Sequence, residues 1–425
     1  MDEFQTPGAG ESVTTRCCIV GGGPAGLFLG YLLGRAGVDV IVLEKHKDFL
    51  RDFRGDTIHP STLELMHELG LLDEFLSITD KHLDSLNLNF EGQQFAGPYF
   101  THLPTKCKFM TVAPQWDFLN MLARHAKEFP NFQVHMQSKA TQLIFDGDRV
   151  VGVKVEGLNG DYEIHADLVV GADGRGSEMR IDAGAEIIEK GIPIDVLWFR
   201  ISKQADVTDN TLARIREGRM LITIDRGDYF QTGLIIHKGT FDELKQEGIE
   251  AFRNRVVGIL PTLADGVADI DTWDKVHLLT VQLNHITNWA RPGLLFIGDA
   301  AHAMSPVGGV GVNLAVQDAV AAANLLADPL YNGTLTLEDL KRVQQRREGP
   351  ALKMQRLQVF AHQRLFGGHT APGKPISISW GVRKFAKLFA PILRRKAGKI
   401  IGLGFLQEHI ECPKRAPKTV VAPAK

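Results

Sequence analysis

Apolar residues in this chain fall into short runs separated by glycine and polar breaks. Cys17 to Val20 is such a run, followed by a glycine turn and a helical pattern from Pro24 to Ala36. Gly37 stops that pattern, and Val38 to Leu43 is again short and apolar. Two apolar runs flanking one helical stretch predict a strand–helix–strand unit. Asp167–Gly171 (DLVVG) and Leu294–Gly298 (LLFIG) have no alternation, which predicts parallel strands buried on both faces. The stretch 182–276 reads differently. Val196–Ile201, Met220–Ile224 and Tyr229–Ile236 are β-rich, with a turn at Arg226-Gly227-Asp228.

The expected fold is therefore a doubly wound α/β (Rossmann-like) domain carrying an inserted, mostly antiparallel β-sheet domain. Residues 15–181 and 277–345 form the first, discontinuous domain in this reading, and 182–276 the second. Residues 1–14 read as a flexible leader. Residues 346–425 read as a helical C-terminal region, with Gly367–Pro375 as a linker.

Composition narrows the class. Apolar residues make up 44% of 425 residues, enough for a sizeable core. A net charge of −2 provides no global field for nucleic acid. Cys17, Cys18, Cys107 and Cys412 form no C-x-x-C pair, so neither a disulfide scaffold nor a zinc site is expected. No other metal signature and no G-x-S-x-G nucleophile turn occurs. The polar N-terminus lacks the charge pattern of a signal peptide, and the glycine-broken run from Cys17 to Leu33 does not read as a membrane span. A cytoplasmic location is the expectation.

Gly21-Gly22-Gly23-Pro24-Ala25-Gly26 is a G-x-G-x-x-G between an expected strand and helix. Gly21 permits a tight turn, Gly23 close approach of a pyrophosphate, and Gly26 close helix–strand packing. Pro24 and Ala25 open the helix, whose N-terminus favours phosphate. Glu44, 18 residues after Gly26, suits a ribose with free hydroxyls, and Lys45 follows it. FAD and NAD both fit these residues.

Two further motifs follow. Gly171-Ala172-Asp173-Gly174-Arg175-Gly176 runs on to Arg180, and Gly298-Asp299-Ala300-Ala301-His302 continues to Pro306, Gly308, Gly309, Gly311, Val312 and Asn313. With this ordered set the chain resembles the group A FAD-dependent monooxygenases, the class of p-hydroxybenzoate hydroxylase and the ubiquinone-biosynthesis hydroxylases. The resemblance covers residues 15 to 345. It implies that FAD is the cofactor and that NADH or NADPH is a transient co-substrate. It implies hydroxylation or epoxidation of a hydrophobic aromatic or quinone-like molecule with O2, through a flavin hydroperoxide. A dehydrogenase or prenyl-reductase-like flavoenzyme on the same fold is the alternative.

Roles carry over by position. Asp299 and Gly298 would serve the ribityl chain, and Asp173 and Gly174 the pyrophosphate and the nicotinamide cofactor. Arg54 would neutralise pyrophosphate charge, and Gln115 would touch the flavin side chain. Pro306 would lie over the flavin on the substrate side, and Gly308 would help position flavin and substrate. A helix starting at Gly311 would aim the N–H groups of Val312 and Asn313 at the flavin pyrimidine carbonyl. Arg180 matches the arginine that follows the Asp-Gly motif, with a structural ion-pair role as the other reading. Val310 stands where many relatives carry Gln or Lys. No side chain is assigned as a catalytic acid or base.

Candidate substrate residues are Trp198, Phe199, Tyr229, Phe230 and Gln231, on the β-rich stretch. Residues 382–401 alternate apolar and basic positions at helical spacing without an acid. Such a helix can lie on an anionic membrane or pack on the enzyme itself, and Pro391 would kink it.

Overall fold

The computed structural model describes residues 7–50, 57–79, 81–203, 211–366 and 380–417. An eight-stranded sheet forms its base. At its centre the strand Ser12–Val20 pairs in parallel with Val40–Glu44 on one side and Tyr162–Gly171 on the other. Phe132–Met136 extends the parallel order beyond Val40–Glu44, and Leu294–Phe296 beyond Tyr162–Gly171. Every residue of Val40–Glu44 is buried, which explains why that run shows no alternation. Cys17 and Cys18 lie in the core, where burial pushes the Cys18 thiol up to about 12. The first strand starts at Ser12, so residues 12–14, expected in a leader, instead pair with Glu163, Ile164 and His165.

The first helix, Pro24–Arg35, packs between this sheet and the helix Gly311–Asn332. Close packing needs Gly26, because a Cβ there would stand 2.0 Å from the Gly21 carbonyl oxygen. Gly21 itself has φ 112°, a left-handed conformation that favours glycine.

A seven-stranded sheet stands over the carboxyl ends of the parallel strands' loops. Ile194–Ser202, Arg219–Asp225 and Tyr229–His237 form its antiparallel centre. It also takes in Ser85–Phe90 and Gln93–Tyr99, which precede the 182–276 stretch, and the first of these joins Thr211–Arg216 in parallel. One face of the sheet is covered by the helix Ile249–Ile259 through Leu197, Phe199, Leu221, Phe230 and Leu234.

The helix Leu337–Phe366 runs along the first domain, and Trp380–Leu403 follows. The expected basic segment 382–401 lies within the latter, and side chains before Ala390 are outside the described residues. Its second half docks on the enzyme. Arg394 Nε donates to the Gly97 carbonyl at 2.8 Å, and Gly398 approaches Tyr99 so closely that a Cβ would come within 2.0 Å of its oxygen. Ile392 and Leu393 remain exposed. No helix among the described residues is long and apolar enough to cross a membrane.

Candidate active site

A cavity of about 960 Å³ runs between the two sheets. One half is made by glycine turns at the ends of parallel strands. Gly21, Gly23, Pro24 and Ala25 line it from the first turn, Glu44 and Lys45 from the second, and Asp173, Gly174 and Arg175 from the third. Asp299, Gly311, Val312 and Gln115 complete this half. A Cβ built on Gly23 or Gly174 would meet no protein atom within 4 Å, so both open onto the cavity. No side chain caps the helices starting at Pro24 and Gly311, which leaves first-turn N–H groups without an intrahelical acceptor. Glu44 is held in place by the N–H groups of Gly22, at 3.2 Å, and His46, at 3.0 Å. These features suit a dinucleotide with a pyrophosphate and a free ribose.

Two carboxylates sit near the turns. Asp299 Oδ2 accepts from Arg175 Nη2 at 3.0 Å. Burial raises the Asp173 carboxyl above the usual range, against the hydrogen bonds it accepts from Ser177 and the Met179 N–H. Behind Asp299, the Gly298 N–H donates to Asp318 Oδ2 at 3.1 Å. His302 Nε2 lies 2.6 Å from the same oxygen. Burial alone would push the Asp318 carboxyl up, but His302 and Arg347 outweigh it and hold it below the usual range.

The other half is apolar. From the seven-stranded sheet it is lined by Leu86, Leu88, Trp198, Ala213, Met220, Ile222, Ile224 and Leu279. Gly233 stands opposite both Trp198 and Ile222 in register. A Cβ there would meet the Trp198 ring at 3.1 Å, so glycine gives the indole its place. Met110, Pro98 and Ile401 close the margins. Met304 to Gly309 join the halves, with Gly308 and Gly309 at φ 84° and 63°.

Of the five residues expected to meet substrate, only Trp198 lines the cavity. Phe199 and Phe230 point to the opposite face, into the core against the helix Ile249–Ile259. Tyr229 lies at a strand end beneath Arg200, and buried Gln231 accepts from Arg226. The sheet is buried on both faces, so Met220, Leu221, Ile222 and Ile224 are all apolar and periodicity alone cannot choose the cavity side. Leu86 and Leu88, which alternate with Ser85, Asn87 and Asn89, lie outside the 182–276 stretch in which substrate residues were sought.

Pro306 and Gly308 line the cavity. Gly26 and Gly298 do not, since both serve packing behind it. The Asn313 side chain turns away from it and accepts from the His59 N–H at 3.1 Å and the Thr62 hydroxyl at 2.6 Å. Arg180 is buried and donates to Asn284 and to the Arg175 carbonyl. Arg54 lies outside the described residues. The described residues contain no cluster of His, Cys, Asp or Glu able to hold a metal ion.

A family model described as FAD binding domain matches residues 14–356. The chain is 33% identical over 356 residues to 6-methylpretetramide 4-monooxygenase of Streptomyces rimosus, covering 82% of this chain and 84% of that one. It is 24% identical over 328 residues to para-nitrophenol 4-monooxygenase of Pseudomonas sp. (strain WBC-3), covering 75% and 79%. It spans 61% of the length of rifampicin monooxygenase of Rhodococcus hoagii, at 29% identity over 71% of this chain. The solved OxyS anhydrotetracycline hydroxylase from Streptomyces rimosus superposes with a TM-score of 0.71 at 21% identity, over 92% of this chain and 76% of that one.

Proposed function

Because the chain belongs to the FAD binding domain family of group A flavin monooxygenases, we propose that it hydroxylates a hydrophobic aromatic small molecule with NADH or NADPH and O2. It is an FAD-dependent oxidoreductase. The observation that carries the substrate side of this reading is the continuity of the cavity. A glycine-lined half suited to FAD opens directly into an apolar half walled by Trp198, Met220, Ile222 and Ile224.

The residues divide the work. Gly23 and the first-turn N–H groups of the helix Pro24–Arg35 receive the pyrophosphate, while Glu44 receives the ribose. Asp299, tied to Arg175, orients the chain between pyrophosphate and ring. The N–H groups at Gly311 and Val312 offer positive potential to the electron-rich edge of the reduced ring. The chemistry that bound FAD would supply there is hydride acceptance from the nicotinamide and activation of O2. Met304, Pro306 and Val307 with the sheet wall keep water from that meeting point. The related enzymes named for 6-methylpretetramide and for para-nitrophenol favour a small aromatic substrate.

The test is NADH and NADPH oxidation by the holoenzyme, in air and under argon, against polycyclic phenols, nitrophenols and quinols. Stimulation by one class, with one oxygen atom added only in air, supports the proposal. Equal conversion under argon replaces it with a dehydrogenase or reductase.

A further inference from the structure

The helix Trp380–Leu403 contains no acidic residue, and from Ala390 onward it carries Arg394, Arg395, Lys396 and Lys399. Residues three, four, seven and eight apart share a helix face. Arg394, Gly398, Ile401 and Gly402 are spaced in that way, and this face is docked on the enzyme. Arg394 donates to the Gly97 carbonyl and lies over the Tyr99 ring, 5.2 Å from its centre. A Cβ on Gly402 would come within 2.7 Å of Leu103. The Ile401 carbonyl accepts from His59 Nδ1 at 2.7 Å. Both sides of the contact reach the cavity margin, since Pro98 and Ile401 line it.

Ile392, Arg395, Lys396 and Lys399 repeat the spacing of three, four and seven on the opposite face, and all four are exposed. Leu393 is exposed beside them, so Ile392 and Leu393, at 55% and 53%, are two adjacent aliphatic side chains in water. Arg395, Lys396 and Lys399 have no carboxylate partner among the described residues. The strand beneath, Gln93–Tyr99, has no charged residue, and the sequence adds Arg383, Lys384 and Lys387 earlier in the same helix. Like charges on one face repel each other, and exposed aliphatic groups disfavour water. A surface with diffuse negative charge above an apolar layer relieves both. Lysine ammonium groups on flexible stems, unlike a fixed guanidinium fork, suit mobile phosphate headgroups better than fixed carboxylates.

We propose that the outer face of this helix docks the enzyme on an anionic lipid bilayer. Arg395, Lys396 and Lys399 meet the headgroups, and Ile392 and Leu393 dip into the acyl boundary. The helix is not long and apolar enough to cross the bilayer, so it lies along the surface. Packing on the enzyme and contact with lipid are then properties of two faces of one helix, not alternatives. Ile392 to Ile401 is about 14 Å of helix at about 1.5 Å per residue. The docked enzyme therefore holds the margin of its cavity close to the lipid surface. Lipid binding requires no turnover, so it stands or falls separately from the oxygenase reading.

The test is flotation of the full-length holoenzyme with vesicles, followed by flavin fluorescence. Vesicles of phosphatidylcholine alone are compared with an equimolar mixture of phosphatidylcholine and phosphatidylglycerol. The native protein should bind the anionic vesicles at least about tenfold more tightly than the neutral ones, and salt at about 0.5 M should release it. Arg395→Gln/Lys396→Gln/Lys399→Gln should weaken that binding at least about tenfold. Ile392→Asn/Leu393→Asn keeps every cation and should still weaken it several-fold. The charge-matched control Lys154→Gln/Lys275→Gln/Lys341→Gln, at exposed positions away from this helix, should bind as the native protein does. All of these positions are exposed, so melting temperature and FAD content should match the native protein throughout. No binding of the native protein to anionic vesicles, equal binding by the outer-face and control triples, or binding indifferent to salt would each overturn the proposal. Unaltered binding by Ile392→Asn/Leu393→Asn would remove the aliphatic pair from the contact. Binding of polyglutamate without binding of vesicles would overturn the proposal and assign the face to an acidic protein.

Discussion

Arg347 Nε donates to Asp318 Oδ1 at 3.0 Å, and neither side chain is reached by solvent. The same guanidinium donates to Glu408 Oε1 at 3.2 Å and to the Leu406 carbonyl, while Asp318 carries the Gly298 N–H at the cofactor turn. One arginine therefore joins the tail around Glu408 to the turn that presents Asp299. Removing one partner of a buried pair leaves a charge stranded, which costs about 3–5 kcal/mol. Arg347→Met takes one cationic partner from each of two buried carboxylates, leaving Asp318 with His302 and Glu408 with Arg346. The variant should melt well below the native holoenzyme and bind FAD more weakly, as read by thermal unfolding and flavin fluorescence. Unchanged melting and FAD affinity would show that the network does not support the turn.

Two glycines of one motif separate folding from binding. A Cβ on Gly26 would strike the Gly21 carbonyl at 2.0 Å, whereas a Cβ on Gly23 would enter only the cavity. Gly26→Ala should lower the melting point of the apoprotein. Gly23→Ala should leave the apoprotein's melting point unchanged and raise the FAD dissociation constant at least tenfold, equivalent to about 1.4 kcal/mol. Equal effects of the two substitutions on apoprotein melting would refute this division.

The cofactor half was legible in the sequence because it consists of backbone requirements. Gly21, Gly23, Glu44, Asp173, Asp299 and Gly311 each mark a turn or helix start that only a few residue types satisfy. The substrate half was not, since its signal is which face of a doubly buried strand looks inward. Trp198 and Phe199 are adjacent and equally aromatic, yet one lines the cavity and the other packs on Phe252. The hydrogen bonds that Gln358 and His362 make to Ser305, at the joint of the cavity, were invisible for another reason. Each spans more than fifty residues of sequence, between a loop and a helix with no motif of its own.

Three buried histidines set an acid limit on stability. Burial lowers His59, His135 and His362 each to about 4, with the Ile401 carbonyl partly opposing the effect at His59. In the unfolded chain they take up protons near the ordinary value of about 6.5. Between those values the unfolded state binds more protons, so stability rises with pH. It should be complete above about pH 6.5 and fall as pH drops toward 4, by up to about 3 kcal/mol for each histidine. Thermal midpoints from pH 7.5 to 4.5 should show this decline. His135→Gln, at a site away from the cavity, should make it shallower, and an identical slope would rule out His135 as a contributor.

Ile222 offers the cleanest separation of the two halves. It lines the cavity from the sheet wall, opposite Gly233, where the Trp198 ring also lies. Ile222→Lys puts an ammonium group in that apolar wall without touching a glycine turn. A charge placed there is poorly solvated and has no carboxylate from the sheet wall to meet. FAD affinity should remain within about twofold, while the stimulation of NAD(P)H oxidation by a neutral aromatic substrate should fall at least tenfold, or about 1.4 kcal/mol. The uncharged replacement Ile222→Met should retain most of that stimulation, because it changes shape but not charge. If Ile222→Lys loses FAD as readily as substrate response, the two halves do not bind separate molecules, and the apolar wall serves the cofactor instead.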